Sequence, residues 1–291
     1  MDVCIRREID NGAALAGHPN IARLLSWTDT RFDTQLIFPF YAESLWSGML
    51  KGMFKKAKPG GVDLLQMAAW QILQGLRHMH ELRIIHRDLK ADNILVSPVE
   101  PAAVGAETAA VNAKPVQCVI ADLGSSSLPS REPCAMLAVG SHPEGHTPVG
   151  TYQYRAPETF CIKPIWDYES DVWAVGVVVL ALHLERLPFG KDRMRHSEMM
   201  FIWKDIMETM TWFKPPRNWA ESQPRARKNR GEWYDLMDSA TQKKPSDLPW
   251  GERGSNFRIF TNRILTVSRF RRPLADTLLQ TSVWLNRGAT D

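Results

Sequence analysis

The stretch that decides the fold reads His-Arg-Asp-Leu-Lys-Ala-Asp-Asn and occupies residues 86–93. It places a carboxylate at Asp88, an ammonium two residues later at Lys90, and an amide at Asn93. A second carboxylate, Asp122, begins the triplet Asp-Leu-Gly further along the chain. These residue types can place a base, a phosphate contact and oxygen ligands for a metal ion around one transferring phosphoryl group.

The segments around this loop predict a mixed fold of class α+β. Residues 64–82 carry apolar side chains at helical spacing and predict a long amphipathic helix that leads into the loop. The apolar runs 94–96 and 116–121 predict strands. The run 173–184 is too short to span a membrane and predicts a buried helix, and residues 274–285 predict the last helix.

The beginning of the chain predicts one helix and two strands. Apolar side chains recur at helical spacing over residues 4–17, and Gly17 is suited to end that helix. Residues 21–27 and 35–40 predict the strands.

Composition is that of a globular protein. The chain has 291 residues, of which 44% are apolar and 23% charged, and its formal charge of +4 does not point to nucleic acid. The four cysteines show no Cys-x-x-Cys spacing, which favours reduced thiols over a disulfide framework or a zinc site. The first residues lack the apolar core of a secretory signal, so a cytoplasmic or nuclear location is expected.

Six short motifs follow one another along the chain. They are a helical glutamate at Glu8, His-Arg-Asp at 86–88, Asp-Leu-Gly at 122–124, Ala-Pro-Glu at 156–158, Asp-x-Trp-x-x-Gly at 171–176 and Arg-Pro at 272–273. In this order the chain resembles the eukaryotic protein kinases over nearly its whole length. Tyr154-Arg155 before Ala-Pro-Glu and Ser125-Ser126 after Asp-Leu-Gly are similar to the CMGC group of these enzymes.

The resemblance implies a protein-kinase-like fold with a truncated N-lobe and a mainly helical C-lobe. Residues 1–41 would form a remnant N-lobe with one helix, two strands and the hinge, and residues 42–287 the C-lobe. Insertions are expected near 97–115 and 212–255. The N-lobe is expected to be incomplete because no Gly-x-Gly occurs in the chain and no lysine precedes Glu8.

The resemblance also implies roles for the residues of the decisive stretch. Asp88 would accept or orient the proton of a substrate hydroxyl, and Lys90, typical of serine/threonine kinases, would neutralise charge on the γ-phosphate of ATP. Asn93 and Asp122 would hold Mg²⁺, because hard oxygen ligands suit this ion. The implied function is a serine/threonine kinase that uses ATP and Mg²⁺ on a protein substrate.

Four residues are implied in binding the nucleotide from the other side. Glu8 would pair with the ATP-binding lysine of the family, and the alternative is a solvated helix residue. Phe38 occupies the gatekeeper position. Pro39 and Tyr41 would offer backbone groups to adenine, although proline has no N–H to donate.

Further residues are implied in regulation and in holding the C-lobe together. Arg87 would receive a phosphate on the activation loop; Thr147, followed by Pro148, is the first candidate acceptor and Ser141 the next. Thr151 is also assigned to regulation. The structural assignments are the ion pair of Glu158 with Arg272 and the loop anchor Asp171.

Two explanations account for the missing Gly-rich loop. The sequence begins at an internal methionine of an ordinary kinase, or the chain is a pseudokinase or scaffold that keeps the C-lobe as an interaction surface. A regulatory protein partner could complete or cover the N-lobe in either case.

Two other classes of function are weaker. The basic run 224–230 lies between Trp219 and Trp233 and could contact a nucleic acid, but a solvated loop within an insertion is favoured. A small-molecule phosphotransferase is disfavoured by the implied partners Asp171 and Arg272, which belong to a peptide-binding C-lobe. Neither a nucleic-acid partner nor a membrane is expected.

Overall fold

The structure, a computed structural model, describes residues 2–54, 64–98, 116–128, 149–160, 164–190, 199–212, 240–249 and 254–286. Within these ranges the helices are α1 (Val3–Ala14), α2 (Leu45–Leu50), α3 (Leu64–Glu81), α4 (Tyr168–Leu184), α5 (Met199–Met210), α6 (Ser255–Ile264), α7 (Ala275–Thr281) and α8 (Val283–Asn286). The strands are β1 (Ser26–Asp29), β2 (Thr34–Ile37), β3 (Glu43–Ser44), β4 (Ile94–Pro98) and β5 (Val116–Ile120).

Helix α4 forms the apolar centre of the fold. The side chain of Asp167 accepts the N–H of Tyr168, and Ser170 completes a capping box with it, so polar groups fix the start of this helix. Every residue from Ser170 to Leu182 is buried, which explains why the helix is apolar on all sides. In the described residues, none of the helices combines the length and the hydropathy needed to cross a membrane.

Helix α3 connects this centre to the small sheet. It packs against α4 on one side and against β5 and α7 on others. Its buried face consists of residues at helical spacing, namely Leu65, Ala68, Ala69, Ile72, Leu73, Gly75, Leu76 and Met79. The amphipathic pattern of the sequence therefore predicts this helix correctly, and the helix leads into the loop at residues 86–93.

Strands β3, β4 and β5 form one antiparallel sheet in that order. Ile94 lies opposite Ile120, so Asn93 before β4 and Asp122 after β5 emerge at the same end of the sheet. The N–H of Ala121 donates to the carbonyl of Asn93 at 2.9 Å and extends the pairing to this end. The register of two short strands thus brings two predicted metal ligands together.

Helix α1 and the ribbon of β1 and β2 form the N-terminal part of the described chain. Helix α1 packs against the turn at residues 123–125, and the amide of Asn11 donates to the hydroxyl of Ser126 at 2.6 Å. Strands β1 and β2 pair antiparallel, with Trp27 opposite Leu36. Trp27 is 43% exposed, so the ribbon offers apolar surface to solvent.

The mixed architecture of helices and small sheets expected from the sequence is present, whereas several predicted boundaries were wrong. Helix α1 ends at Ala14 and not at 17, since Leu15 already caps it; the strand expected over 21–27 begins only at Ser26. The second strand ends at Ile37 and not at 40. The single helix expected over 274–285 is two helices separated by Ser282, whose hydroxyl accepts the N–H of Leu285.

Two helical glycines provide a test of the packing around α1 and α3. A Cβ at Gly12 of α1 would lie in ordinary contact with Leu24 at 3.5 Å, whereas a Cβ at Gly75 of α3 would lie 2.7 Å from the backbone oxygen of Asn20. Gly12→Ala should therefore raise the free energy of unfolding by about 0.5–1 kcal/mol, because it removes flexibility from the unfolded chain. Gly75→Ala should lower it. Urea denaturation measures both, and equal stability of the two variants would contradict this packing.

Candidate active site

One buried carboxylate holds the backbone of the loop at residues 86–93. Asp171 of α4 accepts the N–H of His86 at 2.7 Å and the N–H of Arg87 at 2.9 Å. The ring of His80 lies 3.2 Å from the same carboxylate. Burial acts to raise the pKa of Asp171, but the hydrogen bond and charge of His80 and the contacts of His86 outweigh it, so this pKa lies below its ordinary value. The anchor therefore stays ionised at neutral pH.

The side chain of Asp88 is held on both oxygens. Its Oδ1 accepts the N–H and the hydroxyl of Thr151, each at 2.8 Å. Lys90 Nζ lies 3.1 Å from Asp88 Oδ2 and 3.2 Å from Thr151 Oγ1. The N–H of Asp88 donates to His86 Nδ1 at 3.2 Å. These contacts present one oriented carboxylate with an ammonium directly beside it.

Asn93 and Asp122 form a second polar pair next to Asp88. The amide nitrogen of Asn93 donates to the carbonyl of Asp88 at 3.0 Å and to Asp122 Oδ2 at 3.2 Å. Asp122 has a φ of 64°, a left-handed conformation that is uncommon outside glycine. The amide oxygen of Asn93 and the carboxylate of Asp122 are hard oxygen donors, and this donor set fits Mg²⁺.

A cavity of about 710 Å³ opens beside this pair. Phe38, Pro39 and Tyr41, the predicted gatekeeper and hinge residues, line one wall, and Leu95 of β4 also lines it. Glu8 and Asp122 are among the polar lining residues. A mainly apolar cavity of this volume, with a few convergent polar groups, is typical of sites for small molecules and cofactors, and its size suits an adenine nucleotide.

Glu8 points from α1 toward the turn that follows Asp122. The backbone N–H groups of Leu123 and Gly124 lie near enough to its carboxylate to favour the ionised form, and Asp122 lies close enough for the two charges to repel. Burial, followed by the charge of Asp122, raises the pKa of Glu8 to about 7. In the part of the chain that the structure describes, no lysine or arginine forms an ion pair with Glu8. The described cavity therefore carries an acidic pair that would attract a cation.

A buried ion pair supports the segment after residue 149. Arg272 donates to both oxygens of Glu158, at 2.7 and 3.0 Å, and both side chains are almost fully buried. Arg272 also donates to the carbonyls of Thr266, Glu169 and Val267. A buried guanidinium with this many acceptors is well compensated and fixes the relative positions of three chain segments.

Arg155 forms a second buried cationic contact that the sequence patterns did not assign a role. Its guanidinium lies over the rings of Tyr152, Phe160 and Trp166, with distances of 5.2 to 5.3 Å to the ring centroids. It also donates to the carbonyl of Thr159. The signal in the sequence is the concentration of aromatic residues around Ala-Pro-Glu.

The structure brings five of the predicted site residues together in one network. Asp88, Lys90, Asn93 and Asp122 lie on one connected network of hydrogen bonds, and Thr151 joins it through Asp88. The individual roles of these residues stay predictions.

The remaining assignments lie apart from that network or outside the described residues. Arg87 donates to the carbonyl of Ser125 at 2.6 Å, next to the start of the segment in which Thr147 lies. Thr147 and Ser141, the basic run 224–230 and most of both predicted insertions fall outside the described ranges. Cys4 and Cys118 are free thiols in the structure.

Comparisons with known proteins define the family. The model of the protein kinase domain matches residues 2–284, and the chain belongs to this family. The resemblance inferred from the six motifs is therefore confirmed. The comparison with solved structures gives the same fold: a chain of the CAK complex from Chaetomium thermophilum bound to ATP-gamma-S has a TM-score of 0.70 and 19% identity, over 99% of this chain and 78% of that one.

Several curated relatives are named as serine/threonine kinases. The chain is 26% identical to the kinase AFC1 of Arabidopsis thaliana over 243 residues, which are 80% of this chain and 48% of the relative. It is also 26% identical to the US3 homologue of equine herpesvirus 1 (strain Ab4p) over 165 residues, 57% of this chain and 35% of that protein. The mitosis inducer kinase cdr1 of Schizosaccharomyces pombe is 30% identical over 177 residues, 60% of this chain and 25% of the relative. The chain thus spans half or less of these relatives.

The buried ion pair should dominate the stability of this region. Glu158→Ala leaves Arg272 buried without its carboxylate and should lower the free energy of unfolding by about 3–5 kcal/mol. The matched control is Asp10→Ala, which removes an exposed pair with Arg6 at 2.9 Å and should cost about 1 kcal/mol or less. Urea denaturation of both variants measures the difference, and similar losses would show that Arg272 is not dependent on Glu158.

The raised pKa of Glu8 predicts a pH dependence of stability in the metal-free protein. Between its ordinary value of 4.5 and about 7, the folded chain binds more protons at Glu8 than the unfolded chain, so this residue's contribution to stability is lost as pH rises through that window. Glu8→Gln keeps the size of the side chain and a polar oxygen near Leu123 and Gly124 but cannot ionise. In EDTA the variant should melt higher than the wild-type chain at pH 8, with a smaller difference at pH 5. The prediction would be contradicted if the melting temperatures of the variant and the wild-type chain differed by the same amount at pH 5 and at pH 8.

Proposed function

We propose that this chain transfers the γ-phosphate of ATP to a serine or threonine hydroxyl of a protein substrate. The observation that carries the proposal is the oriented carboxylate of Asp88, which lies beside Lys90, while the backbone carbonyl of Asp88 accepts the amide of Asn93 and so connects the loop to the pair of Asn93 and Asp122. Membership of the protein kinase family supports the reaction class.

Each side chain has a physical task in this reaction. Asp88 would orient the substrate hydroxyl and accept its proton, while Lys90 would offset negative charge on the transferred group. Asn93 and Asp122 would hold Mg²⁺, which when bound neutralises charge on the ATP phosphates. The hydrogen bonds from Thr151 keep the Asp88 carboxylate in place, so little reorganisation is needed during the reaction.

The preference for serine and threonine rests on the lysine at position 90 and on the relatives. Lys90 and Thr151 are linked at 3.2 Å beside Asp88, and the relatives AFC1 and the US3 homologue are named as serine/threonine kinases.

ATP is proposed as the occupant of the 710 Å³ cavity. The cavity extends from the segment around Phe38, Pro39 and Tyr41 to Asp122, so a nucleotide could reach from the hinge to the metal-holding pair. A CAK complex with the same fold is bound to ATP-gamma-S, which supports a nucleotide in this position.

An impaired kinase that acts as a scaffold is the second candidate. The observation in its favour is Glu8, which faces Asp122 without an ion pair to any described lysine or arginine. Thermal unfolding with and without Mg·ATP separates the two candidates. A ligand at one hundred times its dissociation constant stabilises the fold by about 2.7 kcal/mol, whereas a scaffold that binds no nucleotide shows no shift.

A regulatory protein partner is proposed to cover the ribbon of β1 and β2. Leu25, Trp27 and Ile37 are 49%, 43% and 46% exposed, and Phe40 beyond the ribbon is 89% exposed, a concentration of apolar surface suited to a protein contact. The protein isolated from its own cells should elute as a complex, and Trp27→Ser with Phe40→Ser should release the partner. Elution of the isolated protein at its own mass would contradict this.

The catalytic role of Asp88 has a matched control in the same loop. Asp88→Asn should lower kcat by about 10²–10⁴-fold toward a generic serine-containing protein substrate, because the base is removed while its shape is kept. Asp92→Asn changes an exposed carboxylate four residues away and should leave kcat within about twofold of the wild-type value. Incorporation of labelled phosphate measures both variants. If the wild-type preparation is active and Asp88→Asn has the same kcat, the proposed mechanism is ruled out.

A further inference from the structure

The outer edge of strand β5 is completed by a glutamine side chain. One edge of β5 pairs with β4, and the other faces helix α3. Gln71 of α3 accepts the N–H of Cys118 at 2.7 Å and donates to the carbonyl of Val116 at 2.9 Å. A carboxamide has the same donor and acceptor as a peptide group, so Gln71 substitutes for a neighbouring strand at this edge.

Asn20 and the residues after it complete the rest of this edge. The amide of Asn20 donates to the carbonyl of Cys118 at 3.0 Å and also to Gln71 Oε1 at 3.1 Å. The backbone oxygen of Asn20 accepts the N–H of Ile120 at 2.9 Å, and the N–H of Ala22 donates to the carbonyl of Ile120 at 2.8 Å. Five consecutive backbone groups on the outer edge of β5, from Val116 to Ile120, are therefore hydrogen-bonded.

The backbone groups of Cys118 and Ile120 in these bonds are shielded from water, whereas Gln71 and Val116 are half-buried. Cys118 and Ile120 are 1% and 0% exposed, and Asn20 is 5% exposed. An unsatisfied buried N–H or carbonyl is destabilising, so loss of the glutamine would favour displacement of the strand toward other partners. Asn20 cannot move closer to α3 to compensate for a lost glutamine, because its backbone oxygen already lies against Gly75 of that helix.

The position of β5 determines the position of Asp122. The strand ends at Ile120, two residues before Asp122, and Ala121 is held by the carbonyl of Asn93 at 2.9 Å. A shift of β5 along or away from α3 changes the separation of Asp122 from Asn93, now 3.2 Å between Oδ2 and Nδ2. Oxygen ligands of Mg²⁺ tolerate little change in geometry.

We propose that Gln71 is a positioning residue for the metal-holding pair, acting through the edge of β5 with the help of Asn20. The inference rests on the proposed kinase function and adds a residue that touches neither metal nor nucleotide. Removing Gln71 should raise the Mg²⁺ concentration needed for activity while it lowers the melting temperature only slightly. Supporting residues of this kind typically change metal affinity by about 10–100-fold.

The test compares two glutamines on the same helix in the full chain. Gln71→Met keeps the length of the side chain but removes both strand contacts. Gln66→Met is the matched control, since Gln66 is also half-buried on α3 and donates to the carbonyl of Trp284, far from β5. The readout is the Mg²⁺ concentration at half-maximal rate, with ATP saturating, alongside the melting temperature of each variant.

The expected result is about a tenfold rise in the half-maximal Mg²⁺ concentration for Gln71→Met and less than a twofold rise for Gln66→Met. Gln71→Glu keeps the acceptor for Cys118 but loses the donor to Val116, so an intermediate value is expected. Amide hydrogen exchange should be faster at Cys118 in Gln71→Met and unchanged in Gln66→Met.

Two results would overturn the inference. If the wild-type chain is active and Gln71→Met has the same Mg²⁺ dependence, Gln71 has no positioning role and the proposed function stays intact. Equal changes in both glutamine variants would show a general loss of stability. A wild-type chain that neither binds Mg·ATP nor transfers phosphate would instead overturn the proposed function, and the role in metal positioning would be lost with it.

Discussion

The functional loop depends on the buried carboxylate of Asp171. A charge with 1% exposure is costly unless donors surround it, and the donors here are the backbone N–H groups of His86 and Arg87 and the ring of His80. Because the two backbone N–H groups belong to the loop and His80 belongs to α3, satisfying the charge also fixes the loop's path beside that helix. Arg87 adopts a φ of 70° in that path, a conformation that needs support from its surroundings. The orientation of Asp88 follows from this arrangement.

The metal-holding pair has a different origin, since it is set by strand pairing. Asn93 and Asp122 lie 29 positions apart in the chain, yet the register of β4 with β5 brings their side chains within 3.2 Å. Asn93 also donates to the carbonyl of Asp88, so the loop held by α4 and the pair held by the sheet are joined. Helix α4 therefore positions Asp88, strands β4 and β5 position Asn93 and Asp122, and the hydrogen bond from Asn93 to the Asp88 carbonyl connects the two.

The sequence predicted the parts of this site that are local in the chain. Residues 86–93 are contiguous, and α3 has a clear helical period, so both could be identified from spacing alone. Gln71 could not be identified in the same way, because its partners Val116 and Cys118 lie more than forty residues away and any helical glutamine has the same local pattern. The break at Ser282 did carry a local signal, a serine at an N-cap position, which the apolar pattern of residues 274–285 concealed.

The last constraint is electrostatic and joins α1 to the site. The N–H groups of Leu123 and Gly124 attract the carboxylate of Glu8 more strongly when it is ionised. Burial and, after it, the charge of Asp122 oppose that ionisation and raise the pKa of Glu8. A cation near the two carboxylates would favour ionised Glu8 and so strengthen its attraction to the turn. By reciprocity, a well-docked α1 raises the affinity for that cation, so the position of one helix and the charge state of the site are thermodynamically linked.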